Sequence, residues 1–216
     1  DDFAAAGYPR DAEALLLCEV DGTLEEVTSC SARVAALFRE HGATTIVVSA
    51  DEAQRARLWQ GRKCAFPAVG RLAPDYYCMD GTIPRRQVSR VLTAISALSA
   101  QYGLRVANVF HAGDGNLHPL ILFDASSSDE VRRAEQFGAE ILALSVEVGG
   151  CITGEHGVGL EKLRQMSHQF SPAELALLED IKYAFDPGLT LNPGKGVPIL
   201  KRCQEYRALP ARHSHD

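Results

Sequence analysis

Two short segments of this 216-residue chain hold residue types that chemistry needs. The first, HAGDGNLHP at 111–119, sets His111 and His118 on either side of Gly113 and Gly115. Glycine opens backbone conformations closed to other residues, so the chain can reverse there and aim both imidazoles at one point. The second, GGCITGEHGVG at 149–159, frames Glu155 and His156 with glycines. Two histidines and a glutamate form a ligand set for a catalytic divalent ion with an open position, and imidazole with carboxylate suits zinc, manganese or iron. By themselves the residues leave two readings open. One is a metal centre, and the other is a set of hairpin and loop histidines satisfied by backbone carbonyls.

Ordinary secondary structure must hold these segments in place. Ser or Thr followed three residues later by Glu takes up two amides left open at a helix start. The pairs Thr23–Glu26, Ser49–Glu52, Ser127–Glu130 and Ser171–Glu174 therefore predict four helices. The first ends at Gly42 and carries Val27, Cys30, Val34 and Leu37 on its buried stripe; the second reaches Trp59. The third stops at Gly149, and the fourth has Pro172 at its first position and stops at Asp186. A fifth is expected after Pro84, with Val88, Val91, Ile95, Leu98 and Tyr102 on one stripe and Gly103 behind it. Runs of β type lie at 14–20, 44–49, 75–79, 104–110 and 117–123, the last two as hairpin neighbours. This order predicts an α+β fold: a ferredoxin-like, mostly antiparallel sheet with helices packed on one face, plus a helical C-terminal segment. One folded domain is expected over 1–198, followed by a tail over 199–216.

Twenty-two basic against 28 acidic residues leave a net charge of −6, which argues against nucleic acid or an anionic membrane surface as the main partner. A 46% hydrophobic and 23% charged composition is that of a globular protein. No apolar run approaches the roughly 20 residues that span a bilayer, and no charged-then-apolar leader is seen. The six cysteines never form a C-x-x-C pair, so they are read as reduced, mostly buried thiols of a cytoplasmic protein. There is no G-x-G-x-x-G, P-loop or G-x-S-x-G motif, so the chain carries no recognisable nucleotide-binding half of its own.

The motifs HAGDGNLHP, ITGEHGVG and LNPGKG resemble the C-terminal domain of FAD-linked oxidases, the vanillyl-alcohol-oxidase-type group that acts on D-2-hydroxy acids. The run LWQGRKCAFPAVGRLAPDYYCMDGTIPRR at 58–86 resembles members that oxidise glycolate, and the similarity runs essentially end to end. In that family the flavin sits mostly on an N-terminal domain. The resemblance thus implies that this chain, which starts at Asp1 and not at Met, is the substrate and cap part of a longer enzyme and is inactive alone. It implies His111, His118 and Glu155 as metal ligands, His156 as active-site base, Arg62 as the partner of the substrate carboxylate, and Asn192 as facing the flavin.

Relatives that oxidise 2-hydroxyglutarate place polar or charged groups at positions aligned with Phe66, Cys78 and Leu120. None of these three can pair with a second carboxylate, whose burial against them would cost several kcal/mol. A small monocarboxylate is therefore expected, glycolate first and D-lactate second. The resemblance further implies FAD as cofactor beside the divalent metal, and partners in a second flavin subunit and an iron–sulfur subunit. Membrane association would then come through those subunits. Two other functions stand as alternatives: a self-sufficient metal-dependent hydrolase using the same ligand set, and a non-catalytic ferredoxin-like regulatory module.

Overall fold

Helix starts fall where a side chain can take up the open amides of the first turn, and the N-terminal region shows how closely local chemistry decides this. The computed structural model describes residues 4–198 and divides the chain into two units, Asp1–Ala68 and Val69–Asp216. The tail expected over 199–216 lies outside the described residues.

In the first unit, α1 (Leu24–Glu40) opens on the predicted box. The Thr23 hydroxyl accepts from the Glu26 amide at 3.4 Å, and the Glu26 carboxylate accepts from the Thr23 amide at 2.8 Å. Its inward stripe is Val27, Ser31, Val34, Ala35 and Phe38, turned by about one residue from the expected one, so Cys30 and Leu37 are exposed. The next helix, α2 (Glu52–Lys63), corrects the sequence reading. Its cap is Asp51, not Ser49, and the Asp51 carboxylate accepts from the Gln54 amide at 2.7 Å. Aspartate caps as well as serine, and its charge adds a favourable interaction with the helix dipole. A short helix, α3 (Ala65–Val69), runs to the boundary between the units.

The strands expected at 14–20 and 44–49 do not form among the described residues, so the ferredoxin-like plan lacks its first two strands there. An apolar run becomes a strand only when a neighbour supplies ladder partners for its amides and carbonyls. Neither run has one, and Leu15, Leu16, Val47 and Val48 are all more than half exposed.

The second unit has the α+β, antiparallel build that the sequence predicts. Strands β1 (Asp75–Cys78), β3 (Val106–Asn108) and β5 (Pro119–Phe123) form a sheet in the order β1-β5-β3, with Cys78 opposite Leu120 and Ala107 opposite the same leucine. A smaller ladder pairs β2 (Gly81–Thr82) with β4 (Asn116–Leu117). The helix α4 (Val88–Tyr102) follows one 3₁₀ turn at Arg85–Gln87 and ends at Gly103, while α5 (Ser128–Glu147) begins at Ser127, whose hydroxyl accepts from the Glu130 amide. The Glu130 carboxylate turns instead to the Asp124 amide at 2.9 Å, leaving that box half made.

Helices α4 and α5 cover one sheet face. Val91, Ile95, Ala134, Phe137, Ile141 and Leu142 pack with Ile121, Leu117 and Met79 in a single core. Phe137 is wholly buried and its ring stacks on Tyr102 with centroids 5.6 Å apart; burying such a side chain is worth about 1.5–3 kcal/mol. The core continues through Ile152, Met166 and Leu175 into α6 (Met166–Gln169) and α7 (Pro172–Phe185), the helical C-terminal segment. Among the described residues no helix is long and apolar enough to cross a membrane.

Candidate functional site

Two breaks in the ladders make the site. The segments 75–82 and 116–123 run antiparallel, but they leave one ladder and enter the other around Met79–Asp80 and His118. At that break Asp80 and His118 stand against each other, with His118 Nε2 3.6 Å from Asp80 Oδ1. Both are almost completely buried.

His111 arrives by the tight reversal. Its carbonyl accepts from the amides of Asp114 (3.2 Å) and Gly115 (3.0 Å), and its amide donates to Asn116 O. Gly115 has φ +73°, and any side chain there would collide with the Ile83 carbonyl, so only glycine closes this turn. The loop 149–159 comes from the other side. Cys151 bridges Thr82 with bonds of 2.9 and 3.0 Å, after which the chain wraps around the Asp80 carboxylate. Oδ2 of Asp80 accepts from the Thr153 hydroxyl (2.8 Å) and from the amides of Gly154 (3.0 Å) and His156 (2.8 Å). The Glu155 amide lies 3.2 Å from both carboxylate oxygens, and the buried Lys162 ammonium donates at 3.1 Å. Burial pushes the Asp80 carboxyl up, but the His156 amide, the Thr153 hydroxyl, the Glu155 amide and Lys162 outweigh it and hold it well below the usual carboxylate range.

The outcome is a cluster on one floor. Glu155 Oε1 is 3.0 Å from His118 Nε2 and 3.9 Å from His111 Nε2. The His156 ring lies parallel to His118 with centroids 5.0 Å apart, and the His111 ring meets His118 edge-on at 5.6 Å. His118 is 4% exposed whereas His111, Glu155 and His156 are 47–52% exposed, so the group opens to solvent on one side. A cavity of about 330 Å³ adjoins it, lined by Thr82, His111, Asp114, Asn116, Gly154 and Glu155. Burial first, and then His156 and His111, lower the His118 pKa further than Glu155 and Asp80 raise it, which favours the neutral imidazole.

This donor set fits a divalent ion. One atom each from His111, His118 and Glu155 lies within 4.8 Å of the others, two imidazole nitrogens and one carboxylate oxygen being a three-ligand set with room for a substrate oxygen. A second grouping, Asp80, His118 and His156, is equally close. Asp80 is the poorer ligand, because its oxygens are already engaged by amide, hydroxyl and ammonium donors.

Of the remaining sequence-derived residues, Cys78, Leu120 and Asn192 belong to the same unit as this cluster but lie outside it. Arg62 sits in the last turn of α2 and Phe66 on α3, both in the first unit and both half-buried. Cys78 and Leu120 face each other across β1 and β5, but neither lines the cavity; Leu120 is fully buried. They stand on the sheet face opposite Tyr77 and Ile121, the residues turned to the core. The Cys78 thiol is pushed up to about 11 by burial and by the neighbouring carboxylates of Asp80 and Glu161, so it is neutral. Asn192 occupies an exposed turn at φ +46°, and the Gly196 amide four residues on donates to Gly159 O, tying that turn to the glycine-rich loop. Sequence reasoning missed Asp80 and Lys162. The only signal was an Asp-Gly pair that reads as a turn, and a lysine in a polar stretch.

The chain belongs to the family described as FAD linked oxidases, C-terminal domain, which matches residues 1–196. Among its relatives is the glycolate oxidase subunit GlcD of Escherichia coli K12, 57% identical over 215 residues, covering all of this chain and 43% of that protein. GlcD of Bacillus subtilis is 36% identical over 195 residues (90% of this chain, 42% of that protein), and the D-lactate dehydrogenase of Anaerostipes hadrus 30% over 195 residues (87% and 41%). The chain thus spans about two-fifths of the length of these relatives.

Proposed function

We propose that this chain is the substrate- and metal-binding part of a flavin-dependent oxidoreductase that converts a small 2-hydroxy acid, glycolate first and D-lactate second, to the 2-oxo acid. The observation that carries the reading is the convergence of His111, His118 and Glu155 beside a cavity, with His156 stacked on His118. When bound, FAD supplies the hydride acceptor, and a divalent zinc, manganese or iron ion supplies a Lewis acid that acidifies a substrate hydroxyl.

This chain's own residues do the rest. His111 and His118 through ring nitrogens, and Glu155 through Oε1, would hold the ion. His156, half exposed at the rim, takes the hydroxyl proton on a ring nitrogen. Arg62 is assigned to the substrate carboxylate on the resemblance alone, its planar fork being suited to bidentate pairing. Asn192 is assigned to the flavin side on the same ground, and residues 1–198 together serve as the substrate part of the enzyme. The neutral Cys78 thiol, with Leu120 opposite, gives a second carboxylate no charged side chain of its own to pair with, which supports a monocarboxylate substrate. Phe66 is assigned to the same specificity pocket by the resemblance.

The names of the relatives support the substrate class: two are glycolate oxidase subunits and one a D-lactate dehydrogenase. A subunit of glycolate oxidase works in a complex, so further subunits, one flavin-containing and one iron–sulfur, are part of this proposal, together with a cytoplasmic location. Family membership speaks against the hydrolase and regulatory alternatives. The test is metal analysis of the purified full-length enzyme beside His118→Ala. We expect about one divalent ion per chain in the parent and loss of that ion, with activity, in the variant. Equal metal content in both would refute the assignment.

A further inference from the structure

Every donor around Asp80 points the same way. Three consecutive amides (154, 155 and 156), the Thr153 hydroxyl and the Lys162 ammonium all aim at one carboxylate that is itself fully buried. A group offering only acceptors is the one side chain that satisfies such a set, and an amide in its place would turn a donor towards donors. Lys162 also donates to the Asp80 backbone carbonyl at 2.9 Å, which fixes the residue carrying the carboxylate. The Thr153 hydroxyl extends the arrangement by accepting from the Gly157 amide at 2.9 Å while it donates to Asp80. Backbone 153–157 is thus clamped at both ends of the Glu155–His156 pair. Those two side chains remain half exposed, and the contact of Glu155 with His118 at 3.0 Å and the stacking of His156 on the same ring both depend on where this backbone sets them.

We propose that Asp80 is a positioning residue: through the amides of 154–156 it holds Glu155 and His156 over His118 and so preorganises the divalent-metal site. The inference rests on the proposed function above, because it assigns Asp80 its role toward that same site. Asp80 acts through other residues and takes no part as a ligand. Outer partners of metal ligands typically govern affinity by about 10–100-fold, and an effect of this order is expected here.

The experiment measures zinc and manganese dissociation constants by competition with a chelating dye, on the full-length enzyme shown to be folded by circular dichroism. Asp80→Asn is expected to weaken binding about 10-fold or more. Thr153→Val, which removes one clamp and leaves every proposed ligand in place, is expected to weaken it in the same direction, and Thr153→Ser to restore it. Phe137→Leu, a destabilising core change on α5, should leave metal affinity at the parent value, which separates positioning from general loosening. A folded Asp80→Asn protein that binds both ions as tightly as the parent overturns the proposal. If Asp80→Asn does not fold, parent-like affinity of Thr153→Val does so instead. A parent enzyme that binds neither ion sinks the metal reading itself, and this inference with it.

Discussion

His118 is the floor on which the other site residues stand, and the contacts there are close enough that single atoms matter. Gly154 illustrates this. A Cβ at that position would collide with Asn116 Oδ1 and crowd the Thr82 hydroxyl, and the next residue is Glu155. Gly154→Ala is expected to cost about 1–3 kcal/mol by overpacking and to lower metal retention, read by urea unfolding and metal analysis. Wild-type values for both would show that the loop has slack the structure does not suggest. The four rim and floor residues were legible in the sequence because glycines lie between His111 and His118 and on both sides of the Glu155-His156 pair. Asp80 was not, since its partners Thr153 and Lys162 lie 73 and 82 positions away and nothing in Met79-Asp80-Gly81 announces burial.

At the scale of elements, local chemistry was read well wherever it was self-contained. The boxes at Thr23 and Ser171 form in full, each within four residues. The other end of α7 is held by Asp186, whose carboxylate accepts from Lys182 Nζ at 2.6 Å and from the amides of Thr190 and Leu191 at 2.9 Å. Lys182 foremost, then those amides against an opposing burial effect, hold its carboxyl well below the usual carboxylate range. A group whose pKa is lower folded than unfolded stabilises fully above its unfolded value, about pH 4 for an aspartate, and loses that contribution as pH falls towards the folded value. Asp186→Asn should therefore lower Tm at pH 7, with the gap to the parent closing as pH falls from about 5 to about 2.5. A gap independent of pH would assign the stabilisation to something other than the charge. Strands were read less well, because a run such as 44–49 has the right residues and lacks a paired neighbour. Similarly, 117–123 reads as one strand and is divided at His118 between two ladders.

For the whole molecule, the chain covers 43% of the E. coli relative, and the proposed function assigns the main flavin-binding part to residues outside it. This chain expressed alone and supplied with FAD is expected to show no flavin absorbance after gel filtration and no glycolate oxidation. Flavin retention, or hydrolysis of simple esters by the bare chain, would favour a self-sufficient enzyme. The amino-acid order by itself determined what depends on neighbours a few residues apart: helix starts and stops, the reversal between His111 and His118, and the glycine-framed Glu155-His156 pair. Tertiary structure alone decided which runs find ladder partners, and that a buried aspartate and lysine gather the loop beneath the cluster. The physical reason is that a hydrogen-bond acceptor declares itself only when its donors arrive, and here they arrive from the far side of the fold.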